Sequence, residues 1–166
     1  GHTLGLRHNF RASTIYTAEQ LSDPEFTRKN GLGGSVMDYN AWNIALAKEK
    51  QGEYVMSTLG PYDYWAIEYA YRQLPREAEA AELAKIAARS SEPQLAYATD
   101  EEVHLGADAA DPEVNQNDLG ADTLTFARRR MALSRELWER WQHRELPSGQ
   151  GRDILYRNVV AGFSQY

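Results

Sequence analysis

The chain has 166 residues, 42% of them hydrophobic and 25% charged, with 4 Trp, 10 Tyr and 4 Phe. This composition is typical of a globular domain or a piece of one, and it excludes wholesale disorder. The net charge of −6 argues against non-specific nucleic-acid binding, which needs a basic surface. No apolar run approaches the roughly 20 residues of a membrane span. The absence of cysteine excludes disulfides and thiolate zinc sites.

The first part of the chain predicts short helices separated by glycine turns. Residues 22–25 combine a cap, a proline and an acid, which is typical of a helix start. Three glycines within residues 31–34 predict a tight turn that leads into residues 35–39. Residues 40–49 then predict a short helix, with Trp42 contributing to its buried side.

The rest of the chain predicts longer helices, and almost no segment alternates with a period of two. The predicted helices cover residues 61–72, residues 75–89, residues 122–141 with Asp122 as the N-cap, and part of residues 148–166. Apolar residues on more than one side of the first of these predict a well-buried helix. We therefore expect a mainly α fold with little or no sheet.

One segment at the N-terminus carries interpretable chemistry. His2, Gly5 and His8 form the pattern H-x-x-G-x-x-H. A zinc site of this kind takes two histidines from one helix and a third from another direction. A glycine between the second and third histidines allows the helix to stop and the chain to turn back toward the metal.

This pattern resembles the second half of the metzincin signature, H-E-x-x-H-x-x-G-x-x-H. His2 matches the second histidine of that motif, Gly5 the turn glycine and His8 the third histidine. Metzincins also have a Met-turn beneath the metal ligands, and Met37 follows the glycine-rich turn at a suitable separation. The combined pattern, with the later aromatic and Asn-rich stretches, is similar to that of large exported bacterial zinc metallopeptidases.

The resemblance implies a Zn²⁺ cofactor bound by His2 and His8, with Gly5 and Met37 as structural residues at the site. It also implies that the first zinc histidine and the catalytic glutamate precede Gly1, so that the chain begins inside the zinc-binding helix. The complete protein would hydrolyse peptide bonds with zinc-activated water, and its partners would be peptides or proteins. The chain alone would be inactive and would bind zinc weakly. Export to the periplasm or the medium follows from the resemblance alone.

Two further residues, Tyr39 and Asn9, bear on which metzincin subfamily the chain resembles. Tyr39 lies two positions after the methionine, where astacin-like and serralysin-like enzymes have a tyrosine that can ligate zinc or stabilise the oxyanion. A tyrosine that packs under the turn is the alternative. Asn9 occupies the place where many metzincin subfamilies have another characteristic residue. This departure leaves the subfamily, and with it the substrate preference, open.

A different class of function is the alternative to a peptidase. Residues 92–127 contain nine acids and neither Lys nor Arg, which predicts a solvated acidic loop. The chain could then be an acidic helical interaction module, or it could bind calcium through residues such as Glu101 and Glu102 beside His104. In that case the histidines would be incidental and Met37 would be an ordinary core residue.

The organisation that we expect is a single unit over residues 1–166. Residues 1–39 would carry the partial zinc motif and the Met-turn, and residues 40–166 would form a helical subdomain below the cleft. No phosphate-binding loop is present, because the glycines of residues 31–34 lack the following Lys-Ser/Thr.

Overall fold

The computed structural model describes residues 1–104 and 111–163, and the described chain is mainly α-helical. These two ranges contain no β-strand, which confirms the mainly α prediction. The α-helices are α1 (Ala18–Ser22), α2 (Pro24–Asn30), α3 (Pro61–Tyr71), α4 (Glu79–Ala88), α5 (Asp100–His104), α6 (Thr123–Gln142) and α7 (Asp153–Phe163). Single turns of 3-10 helix cover His2–Leu4, Ala12–Ile15, Arg89–Ser91 and Pro93–Leu95.

Both aspartates at predicted helix starts cap their helices. Asp23 Oδ1 accepts from the backbone nitrogen atoms of Glu25 and Phe26, at 2.8 and 3.2 Å. Asp122 Oδ1 accepts from the backbone nitrogen atoms of Leu124 and Thr125 at the start of α6, at 3.0 and 3.2 Å. Such caps satisfy amides that have no partner within the helix, and each is worth about 1 kcal/mol. The predicted starts of α2 and α6 are therefore confirmed.

The prediction of a helix over residues 40–49 is wrong. This segment is irregular, and Trp42 is 64% exposed instead of buried. The backbone N–H of Asn43 donates to Tyr54 O at 3.0 Å, and Gln51 Nε2 donates to Asn43 O at 2.6 Å. These side-chain and long-range bonds take the place of the hydrogen bonds that a helix would form, so the local apolar pattern was overridden.

The prediction that α3 is well buried is also wrong. Within α3, Asp63 and Ala66 are buried, whereas Tyr64 and Tyr71 are 63% and 55% exposed. One side of the helix packs against α4, where Trp65 Nε1 donates to Ile86 O at 2.7 Å. The rings of Tyr64, Tyr69 and Tyr71 are therefore exposed on the outer side of the helix.

The acidic segment is not simply a solvated loop, contrary to the prediction. Residues 100–104 form α5, and Asp118 is only 5% exposed. Arg11 pairs with Asp111 at 3.2 Å and also with Glu113. Arg11 thus ties exposed acids of this segment to the N-terminal part of the chain. Residues 105–110 lie outside the described part of the chain.

Two apolar clusters form the core. One contains Leu21, Leu32, Ala41 and Leu119, and the other contains Phe10, Ala98 and Val114. The second cluster lies directly below the N-terminal histidine motif, because Phe10 stacks on the ring of His8. In the described ranges, none of the helices has both the length and the apolar character needed to cross a membrane.

Candidate metal centre

Gly5 reverses the chain between the two histidines. The turn His2–Leu4 ends at Gly5, whose φ of 81° is in the left-handed region. Gly5 N donates to His2 O at 2.9 Å, and Leu6 N donates to Gly1 O at 3.3 Å. This pair of bonds is the Schellman pattern that ends a helix, and the glycine avoids the strain that a β-carbon would suffer there. The turn brings His8 back toward His2.

The two histidines meet through the same ring atom. Nε2 of His2 lies 3.2 Å from Nε2 of His8, with the rings 4.7 Å apart and nearly perpendicular. Two nitrogen ligands of a tetrahedral zinc ion, each about 2.0–2.1 Å from the metal, are about 3.3–3.4 Å apart. The observed separation is therefore close to that of two ligands on one ion.

The other ring nitrogens fix the tautomers. Nδ1 of His2 lies 2.9 Å from Leu6 O, and Nδ1 of His8 lies 2.8 Å from Asp100 Oδ1. A carbonyl and a carboxylate can only accept, so both Nδ1 atoms must carry hydrogen. In the neutral rings, both Nε2 atoms then present lone pairs to each other, which repel unless a shared cation lies between them. The donor set thus fits a metal ion, and its partners at Nδ1 are those typical of metal-binding histidines.

Asp100 is itself held in place by its neighbours. Its hydrogen bond to His8 is the main cause of a lowered pKa of the Asp100 carboxyl. On the next residue, Glu101, both carboxylate oxygens accept from Arg7 Nη2 at 2.7 Å. Arg7 therefore anchors the start of α5 beside the residue that orients His8.

Asn9 connects the histidine turn to the same part of the chain. The residue is fully buried, and its Nδ2 donates to Ala96 O at 3.0 Å. Its Oδ1 accepts from Ala98 N at 3.3 Å, and Phe10 N donates to Ala98 O at 2.8 Å. These bonds fix residues 96–98 against the turn, immediately before Asp100. The side chain of Asn9 thus has a structural function here.

Met37 contacts the chain neighbour of each histidine. A β-carbon on Gly1 would lie 2.0 Å from Met37 Sδ, so the methionine packs tightly against the residue before His2. Met37 O accepts from Asn9 N at 3.1 Å, on the residue after His8. The side chain is 6% exposed. The methionine loop therefore lies against both ends of the histidine motif.

A buried carboxylate holds the methionine loop. Asp63 Oδ1 accepts from Ser35 Oγ at 2.6 Å, and Oδ2 accepts from the amides of Val36 and Gly60 at 2.9 and 2.8 Å. Ser35 Oγ in turn accepts from Met37 N at 3.0 Å. Because Asp63 is 3% exposed and belongs to α3, this network fastens the loop to the helix.

Tyr39 lies beside His8. Their rings are 4.7 Å apart in an edge-to-face arrangement, and the tyrosine ring also contacts Phe10 at 5.4 Å. Tyr39 is 48% exposed. This position is therefore compatible with both roles considered for Tyr39, which are packing beside the methionine turn and presenting its phenol to the site.

Two carboxyl groups are buried behind the methionine loop. Asp38 Oδ2 accepts from Ser13 N at 2.7 Å. Burial, and secondarily the neighbouring Asp118 carboxylate, raises the pKa of Asp38 to about 7. Burial also raises the pKa of Asp118 to about 6, although the side chains of Ser13 and Asn115 offset part of this effect.

Sequence reasoning missed Asp100 and Asp63 as parts of the site. Asp100 is 92 residues from His8, and Asp63 is 28 residues from Ser35, so no local spacing connects the partners. The density of acids after residue 92 was the only sequence signal. Among residues 1–104 and 111–163, no group of three or more His, Cys, Asp or Glu converges as a metal site. Within these ranges, the two imidazole nitrogens of His2 and His8 are the candidate donors that the chain brings together.

Comparison with known proteins identifies a family. A family model described as Met-zincin matches residues 1–166. Neither the curated proteins nor the solved structures contain a match to the chain.

Proposed function

The chain belongs to the Met-zincin family, and on that premise we propose that it supplies two ligands of a zinc metallopeptidase active site. Membership in this family indicates a metalloprotease-type function. The observation that carries the finer proposal is the 3.2 Å approach of Nε2 of His2 to Nε2 of His8. Both atoms have free lone pairs in the neutral tautomers that their Nδ1 partners impose.

Each residue of the site has a distinct part in the proposal. His2 and His8 bind the metal, and Asp100 holds the ring of His8 through Nδ1. Met37 supports both histidines from below, through Gly1 and Asn9. A bound zinc ion supplies a water molecule of lowered pKa as the nucleophile.

Tyr39 is the residue that we propose for oxyanion stabilisation or additional ligation. It contacts His8 and is half exposed, so its phenol has access to solvent at the edge of the site. A phenol can donate a hydrogen bond to the negative charge that develops on a substrate carbonyl.

The remaining parts of the catalytic machinery would precede residue 1 in the parent protein. Two histidines leave two tetrahedral positions open, for a third protein ligand and for water. The motif of the family places a histidine and the general-base glutamate four and three residues before His2. The substrates would be peptides or proteins, and export of the parent protein stays a prediction.

Metal analysis of the chain, extended upstream by the preceding residues of its own gene, tests this proposal. We expect about one zinc per chain, close to none after His8→Ala, and an unchanged content after His143→Ala, which alters an exposed histidine at the end of α6. The extended chain should cleave an unfolded protein substrate, whereas residues 1–166 alone should not. Equal zinc contents in the His8→Ala and His143→Ala variants would contradict the assignment.

A further inference from the structure

Four residues outside the histidine site place unpartnered polar atoms in the protein interior. In the described chain these atoms form no hydrogen bond: Ser13 Oγ, Asp38 Oδ1, Asn40 Oδ1 and Nδ2, and Asp118 Oδ1 and Oδ2. Ser13, Asp38 and Asp118 are 0%, 8% and 5% exposed. Buried polar atoms of native proteins are almost always satisfied, so such a concentration indicates a missing partner.

These residues come from three segments that meet. Ser13 N donates to Asp38 Oδ2 at 2.7 Å, and the carboxylate of Asp118 is close enough to that of Asp38 to add to the rise in its pKa. The backbone of residues 39–41 pairs with residues 117–118 through two bonds of 2.9 and 3.1 Å. Asn40 Nδ2 lies 3.5 Å from the position of a β-carbon on Gly33, which itself would lie 2.8 Å from Ala12 O. The four side chains therefore belong to one buried cluster.

Within the described residues, no basic side chain balances the charge of the cluster. No lysine, arginine or histidine in residues 1–104 and 111–163 forms an ion pair with Asp38 or Asp118. A buried carboxylate is stable only when it is paired, bound to a metal or protonated. Two buried carboxylates side by side therefore need a divalent cation, two basic side chains or bound protons to neutralise them.

We propose that this cluster binds a calcium ion, through oxygen atoms of Ser13, Asp38, Asn40 and Asp118. Carboxylate, amide and hydroxyl oxygens are the ligands of a hard cation, and no nitrogen or sulfur ligand of the zinc type is part of the cluster. Calcium accepts irregular geometry with six to eight oxygens, whereas magnesium demands an octahedron and keeps several waters.

A calcium ion here would act as a clamp behind the methionine loop. It would fasten residue 13, residues 38–40 and residue 118, which are otherwise joined by the bond from Ser13 N to Asp38 Oδ2 and by backbone bonds between residues 39–41 and 117–118. Met37 directly precedes Asp38. A calcium ion bound to Asp38 would therefore also stabilise the methionine loop that packs against the histidine motif. The site is separate from the proposed zinc site and does not depend on the peptidase assignment.

Thermal unfolding of the chain after removal of divalent ions tests the proposal. We expect calcium, at about 100 times its Kd, to raise the unfolding midpoint by about 5–10 °C, and magnesium at the same concentration to raise it far less. Titration calorimetry should give one calcium per chain. Asp118→Asn should abolish the calcium-dependent shift, and without calcium it should be at least as stable as the parent, because it removes a buried negative charge.

A second variant and a surface control complete the test. Asn40→Asp adds a third carboxylate, so we expect it to be less stable without calcium and to show a larger calcium-dependent shift. Asp153→Asn alters an exposed acid that pairs with Arg157, and it should retain the shift of the parent. The proposal fails if calcium does not stabilise the parent, or if the Asp118→Asn variant responds as the parent does. Either result would show that buried water or a shared proton, and not a calcium ion, satisfies the polar atoms of the cluster.

Discussion

Nδ1 of His8 lies 2.8 Å from Oδ1 of Asp100, a residue 92 positions later in the chain. This hydrogen bond sets the tautomer of His8 and turns its Nε2 toward His2. The first turn of α5 is therefore part of the proposed metal site, although it contributes no ligand of its own.

Loss of the Asp100 carboxylate should weaken zinc binding. Partners of this kind typically contribute 10- to 100-fold to metal affinity, so we expect a loss of about that size for Asp100→Ala in the upstream-extended chain. Asp100→Asn retains an acceptor for Nδ1 and should lose less. Competition with a chromophoric zinc chelator measures the affinities.

The matched control is Glu101→Gln. It removes a charge from the neighbouring residue and weakens the contact with Arg7, but it leaves the hydrogen bond of His8 intact. Its zinc affinity should stay close to that of the parent. If Asp100→Ala and Glu101→Gln bound zinc equally well, Asp100 would have no role in orienting His8.

Gly5→Ala should affect both stability and metal binding. The left-handed φ of 81° costs a residue with a β-carbon about 1 kcal/mol, and relief of that strain would move His8 away from His2. Gly149→Ala is the matched control, because Gly149 also has a positive φ, of 87°, with open space around it. Both variants should unfold at lower urea concentrations. Only Gly5→Ala should bind zinc more weakly, and equal zinc affinities would contradict the role of the turn.

Removal of the Asp63 carboxylate should destabilise the methionine loop. Asp63→Ala leaves the buried amide of Gly60 and the partly buried amide of Val36 without their acceptor, so we expect a loss of about 3 kcal/mol in the free energy of unfolding. Urea denaturation measures this loss. Asp153→Ala, at an exposed position, should change the free energy by less than about 0.5 kcal/mol. A similarly small effect of Asp63→Ala would show that the network does not hold the loop.

The buried pair Asp38 and Asp118 should make the metal-free chain more stable as the pH falls from about 7 to about 5. Their pKa values of about 7 and about 6 in the folded chain lie above the value of 3.8 for an unperturbed aspartate, so the folded state binds more protons in this range. Each group then contributes a slope of up to about 1.4 kcal/mol per pH unit, with stability lost as the pH rises. Carboxyl groups with lowered pKa values, such as Asp122, lose their stabilising contribution only in more acidic solution.

Urea denaturation at several pH values, with divalent ions removed, measures this slope. Asp118→Asn removes one of the two titrations, and all exposed groups titrate alike in the parent and the variant. The difference between the two curves should therefore increase with pH in favour of the variant. A difference that does not depend on pH would show that Asp118 is not protonated in the folded chain.

Local patterns predicted the parts of the fold that local interactions determine. Asp122 and the spacing of apolar residues after it were sufficient for α6, because the cap and the apolar stripe belong to the helix itself. The pattern of His2, Gly5 and His8 was likewise sufficient to expect a reversal of the chain, since the left-handed glycine determines the turn.

Long-range contacts determine the parts that were missed. Residues 40–49 have helical apolar spacing, but Asn43 and Gln51 form bonds that require a distant partner or a folded loop. The pairing of His8 with Asp100 and of Ser35 with Asp63 depends on packing between separate segments. No spacing rule within a single sequence relates such positions.

Anomalous X-ray scattering at the zinc absorption edge shows directly whether His2 and His8 bind one zinc ion. Crystals of the upstream-extended chain, grown with zinc, should show one strong peak about 2.0–2.1 Å from Nε2 of both His2 and His8. The peak should disappear in crystals of the His8→Ala variant. A peak that contacts neither histidine, or rings that face away from each other in zinc-loaded crystals, would contradict the account.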